Sequence, residues 1–237
     1  MRFPNLAVRW FVLLAVFASA SFARPALAGE VAGKLVLGAY KPVPEAPPKR
    51  LPFNWELENG FKQVLPEHVQ AARELAVVLV GAGDARGMEF VEVALRGGGL
   101  MPSTVVVRAG TTVKLKNEDE IAHEVFAEGL EGFAAEAISP RGVRSIRLGS
   151  TGSWPLRDNL LAHVRGHLHV VADVVAIGKV ASDGSFAFGD VVPGKYTLKV
   201  FHGANEVLAQ AVEVGDKATA IEPITLTAPT DKPAAKP

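Results

Sequence analysis

Apolar and polar residues alternate with a period of two along much of this chain, a pattern that predicts strands rather than helices. In residues 101–126, MPSTVVVRAGTTVKLKNEDEIAHEVF, Val105 and Val107 share one face, and Val113 and Leu115 alternate with Lys114 and Lys116. Arg108-Ala109-Gly110-Thr111 carries turn chemistry between the two runs. Asn117-Glu118-Asp119-Glu120 ends the second strand, because short polar side chains bond to nearby backbone and compete with the ladder. The polar loop that follows delivers one histidine, His123.

The same reading predicts strands over residues 30–37, 76–80 and 90–95, the last with Val91, Val93 and Leu95 on one face. Residues 40–52 are Pro-rich and cannot donate a full ladder, so they read as a loop or an edge crossing. Residues 54–58 read as a strand before an Asn59-Gly60 turn, and residues 66–75 as a short helix opened by Pro66. Gly97-Gly98-Gly99 is a turn with no helix after it, hence not a phosphate loop. Residues 126–139 read as loop and residues 145–148 as a strand. In residues 160–171, parity sends Val164, Leu168 and Val170 one way, and His163, Arg165, His167 and His169 the other. With the apolar set on the core, the histidines are expected to face solvent or a partner. Three histidines at these offsets suit a transition ion, and a polar strand face is the plainer reading.

Two resemblances rest on residue order. Pro102, Val105, Val107, Gly110, Thr111, Val113, Asn117, Asp119, His123 and Val125 stand in an order that resembles cupredoxin domains of the plastocyanin/azurin class. The order is closest to periplasmic proteins of the methylamine-utilisation type. The resemblance implies a Greek-key β-sandwich with His123 as the first copper ligand, then a Cys, a second His and a Met before the last strand. Residues 154–166 should hold that second cluster and contain neither Cys nor Met. His163 stands nearest the second His, at a spacing to Gly166 shorter than the family's. Further on, Asp183-Gly184, Phe186, Phe188, Pro193-Gly194, Tyr196, Leu198 and Val200 resemble carboxypeptidase regulatory-like, or prealbumin-like, sandwich domains. That likeness speaks to fold and not to activity.

Composition narrows the function. The 237 residues carry 25 basic and 25 acidic side chains, and a chain without a basic surplus is not expected to bind nucleic acid. Residues 1–28 read as a cleavable secretory signal: Arg2 and Arg9, an apolar run from Trp10 to Ala20, then Ala26-Leu27-Ala28. The run is too short to span a bilayer, so the expectation is a periplasmic or secreted protein that is not membrane-spanning once cleaved. There is no cysteine, which removes the thiolate of a blue-copper centre. No G-x-S-x-G elbow, HExxH or Walker loop is present.

The fold class expected is all-β, two Greek-key sandwiches. The divisions expected are a signal at 1–28, regulatory-like strands at 29–85, a cupredoxin-like part at 86–172, a regulatory-like part at 173–228 and a disordered tail at 229–237. Whether the middle part is inserted or in tandem stays open. The expected function is non-catalytic, a binding or structural role toward a periplasmic protein or ligand, with a degenerate copper site. The alternative is a copper-binding protein with a histidine-only Cu(II) site drawn from His123, His163, His167 and His169. A glycan or peptide platform built on Trp55 and Trp154 is a third reading. Asp119, Glu120 and Glu124 read as a charged loop rather than an acid/base pair, and His202 as a turn residue with a local hydrogen bond.

Overall fold

The structure is a computed structural model describing residues 29–38, 40, 68–83 and 88–227. The expected signal, most of the Pro-rich connection, the strand and turn at 54–60, Trp55 and the tail lie outside the described residues.

The described chain is almost entirely strand. Its elements are β1 Gly29–Val36, α1 Ala71–Glu74, β2 Leu75–Val80, β3 Phe90–Leu95, β4 Leu100–Met101, β5 Thr104–Arg108, β6 Thr112–Asn117, β7 Val125–Ala127 and β8 Val143–Arg147. They continue with β9 Gly152–Asp158, β10 Arg165–Val171, β11 Val174–Val180, β12 Ser185–Val191, β13 Gly194–His202, β14 Asn205–Val214, β15 Thr219–Ala220 and β16 Ile224–Thr225. The helix expected over 66–75 shrinks to the single turn of α1. Leu75 already begins a Val-rich strand whose partners on both sides, β11 and β13, outweigh helix propensity.

The strands make three sheets. One runs β14-β13-β2-β11-β12-β1-β15, with β16 also on β1, so strands from both ends of the chain share it. It curls over a core of Val31, Leu35, Val77, Leu79, Phe186, Phe188, Leu198 and Val200. The other two sheets, β5-β10-β9-β7 and β4-β3-β6-β8, enclose a separate core that includes Val93, Leu95, Val105, Val107, Leu115, Phe133 and Leu168. Between β4 and β9 the chain changes sheet at every connection, the crossing pattern of a Greek-key sandwich. Thus β5 and β6, adjacent through a tight turn, lie in different sheets rather than forming a hairpin.

A third apolar cluster joins the two bodies. Ala76, Val78, Val174 and Phe201 pack against Val106 of β5. β2 is therefore buried on both faces, as its unbroken apolar run requires. Residues 126–139, expected as loop, are irregular after the last two residues of β7, yet place Phe133 and Ile138 in the core. Gly129 and Gly132 interrupt that stretch and hide its period from a pattern reading. His202 bonds not locally but to Tyr40 Oη at 2.9 Å and to Glu74 Oε2 at 3.3 Å, tying the end of β13 to the chain after β1 and to α1.

Candidate functional site

The loop after β6 is wound around Asn117. This side chain is wholly buried, its Oδ1 accepting the Asp119 N–H at 2.9 Å. Its Nδ2 donates to the carbonyls of Ile121 and Ile138 at 2.8 and 2.9 Å. His123 is then pinned by two backbone bonds with Ile138, at 3.1 and 2.7 Å. Its ring is left with no exposure to solvent.

Both ring nitrogens of His123 meet carboxylates. Nδ1 lies 2.7 Å from Asp158 Oδ2, and Nε2 lies 3.2 Å from Asp119 Oδ2. Asp158 has a fully buried side chain at the end of β9. Its other oxygen accepts the N–H groups of Leu160 at 2.8 Å, Leu161 at 3.1 Å and Glu124 at 3.3 Å. Asp119 accepts the N–H groups of Gly97 at 2.6 Å and Gly98 at 2.9 Å. Both glycines have positive φ, 61° and 68°, which aims two successive N–H groups at one carboxylate. Burial pushes the Asp119 carboxyl upward. The N–H bonds from Gly98 and Gly97 and the contact with His123 outweigh it and hold the group below the usual carboxylate range. Among the described residues, no buried side-chain nitrogen or oxygen lacks a hydrogen-bond partner.

Asp158 is the residue that sequence reasoning missed. An Asp followed by Asn at a strand end signals a turn in which the side chain takes N–H groups two and three residues on. Nothing local reports that its second oxygen meets a histidine 35 positions earlier.

The four candidate histidines are not brought together. His163 is exposed. A methyl group placed on Gly98 would lie 3.0 Å from its Nε2, so His163 reaches the end of the sandwich that holds His123, across Gly98 and Asp119. His167 and His169 lie elsewhere. The expectation that they face solvent or a partner is corrected: they are 7% and 4% exposed, and β13 of the first sheet covers His169. The His169 ring packs at 4.6 Å on Phe201 of β13, and its Nε2 donates to the Gly203 carbonyl at 2.7 Å. Parity correctly separated these residues from Leu168 and Val170, but the opposite face is a second apolar contact and not water. Trp154 is half-buried against the core between the two four-stranded sheets.

These donors do not fit a blue-copper centre. The chain has no cysteine, and the atom that faces His123 Nδ1 is a carboxylate oxygen. The carboxylates of Asp119 and Asp158 approach opposite ring nitrogens, so the three side chains do not converge on one point. Among the described residues, no group of three His, Asp or Glu side chains is arranged to hold a metal ion.

No protein-family model matches this chain, and no curated protein does. Some solved structures are similar over part of it. The P94A mutant of amicyanin is 20% identical, covers 35% of this chain and 83% of its own, with a TM-score of 0.33. A purple cupredoxin from Nitrosopumilus maritimus is 15% identical, covers 34% of this chain and 99% of its own, with a TM-score of 0.31. A copper-containing nitrite reductase from Thermus scotoductus SA-01 is 20% identical, covers 39% of this chain and 25% of its own, with a TM-score of 0.33. Likenesses this slight carry neither activity nor metal content to this chain. Among the described residues, no helix is long and apolar enough to cross a membrane.

Proposed function

We propose that this is an exported, non-catalytic β-sandwich scaffold whose cupredoxin-like unit, residues 86–172, is set between the two halves of a regulatory-like sandwich. Its copper end is closed. The observation that supports this most is the placement of His123, with one carboxylate on each ring nitrogen and no solvent exposure. A buried carboxylate that accepts four bonds is stabilised by them, and displacing it for a metal would strand three N–H groups. The pairing of β1 with β12, and of β2 with β11 and β13, favours the insertion. What remains for function is the surface, with loops on a rigid scaffold engaging a periplasmic protein or ligand.

The test is Cu(II) titration of the chelator-treated chain and its His163→Ala variant. The proposal expects no tight uptake that depends on His163. A tight site lost in His163→Ala would favour copper handling at the His123 end instead. The histidine-only alternative finds better support elsewhere in the molecule, at His167 and His169.

A further inference from the structure

His167 and His169 sit two residues apart on one face of β10, with ring centroids 4.8 Å apart. Ser153 of β9 is the cross-strand neighbour of His169. Its hydroxyl oxygen lies 2.8 Å from His167 Nε2 and 3.0 Å from His169 Nδ1, so two imidazole nitrogens are directed at one atom. Ser153 itself is exposed, which leaves this point open at the margin of the contact between the bodies.

The tautomer of His169 follows from its partner. The Gly203 carbonyl only accepts, so the proton sits on Nε2 and the lone pair on Nδ1 takes the Ser153 hydroxyl hydrogen; Ser153 Oγ then accepts from His167 Nε2, whose proton an entering ion displaces. A backbone carbonyl behind the far ring nitrogen is the outer support that metal-binding histidines use.

We propose that His167 Nε2, His169 Nδ1 and the Ser153 hydroxyl bind one divalent transition ion of the copper–zinc group, completed by water, at a site separate from His123. Two imidazoles and an oxygen suit Cu(II) and Zn(II), with Cu(II) the tighter by the general affinity order. Burial, the largest influence, holds His169 below the ordinary histidine value, against the Gly203 bond and the charge of Glu206. The Glu206 carboxylate favours a cation here. The ion would also clamp β9 and β10 beside the β13–β14 turn, the place where the two sandwiches meet. This proposal does not rest on the scaffold reading, since a closed His123 end leaves β10 unaffected.

The test uses the full purified chain, stripped by chelator and titrated with Cu(II) or Zn(II). One equivalent of Cu(II) should bind, with electron paramagnetic resonance showing two nitrogen ligands. Zn(II) should shift the side-chain nitrogen resonances of His167 and His169 and leave those of His163 and His123 in place. His167→Gln should weaken Cu(II) binding by about tenfold or more, while His163→Ala should not change it. Should His167→Gln fail to fold, the resonances of the unsubstituted chain decide. Absence of stoichiometric uptake, shifts confined to His163, or loss on His163→Ala with retention in His167→Gln would each overturn the proposal.

Discussion

Asp158 brings a carboxyl side chain into a place closed to solvent, and its neighbours there are hydrogen-bonding groups. Three backbone N–H groups and His123 surround it. Its partner carboxylate, Asp119, is served by two glycine N–H groups. The same logic operates with opposite sign at Tyr40. Burial, then the charge of Glu74, pushes the Tyr40 phenol up to about 12. The folded state keeps this proton longer than the unfolded chain does. Tyr40 therefore contributes stability at neutral pH that falls away as pH rises from the unfolded value, about 10, toward the folded one. The chain has two tyrosines, so in Tyr196→Phe the ultraviolet titration reports Tyr40 alone. A midpoint near 12 is expected; a midpoint at the ordinary phenol value would contradict the buried Tyr40–His202 contact.

At the scale of elements, the turn between β3 and β4 acts on the loop after β6 through two N–H groups. Gly98→Ala should therefore be felt at Asp119 and His123. At φ 68° a side chain is strained, and its Cβ would also press on His163 Nε2 at 3.0 Å. His163 is exposed and can move aside, so the backbone term dominates. The expected loss is about 1–2 kcal/mol in chemical denaturation, the cost of left-handed backbone for a non-glycine residue. Elements with a clean period were legible in the sequence. β3 runs from Phe90 to Leu95 as its alternation predicts, and Tyr196, Leu198 and Val200 of β13 turn inward. Elements whose pattern is short or interrupted were not. β7 is three residues long, and Phe133 and Ile138 reach the core from irregular chain. For β10, alternation told which side chains share a face; what lies across from that face depends on β13, more than thirty residues later.

The molecule as a whole joins two sandwiches by continuous chain and by a shared apolar contact. β2 and β5 are the strands that make this possible, each sending alternate residues into a different core: Val77 and Leu79 against Ala76 and Val78, Val105 and Val107 against Val106. In this frame the loop from Asn117 to His123 ends with a carboxylate against each nitrogen of the histidine ring. That pairing was out of reach of the sequence, which shows the missing sulfur but not what stands against the ring. The most direct test is equilibrium unfolding in guanidinium of Asp158→Asn against the unsubstituted chain, in the presence of chelator. Asn keeps the shape and replaces one of the two carboxyl oxygens with an amide nitrogen. If Asp158 clamps His123, stability should fall by about 2–4 kcal/mol with the denaturant slope unchanged; stability within about 0.5 kcal/mol of the original, the range of an ordinary surface substitution, would contradict it and reopen His123 Nδ1 as a place for a metal.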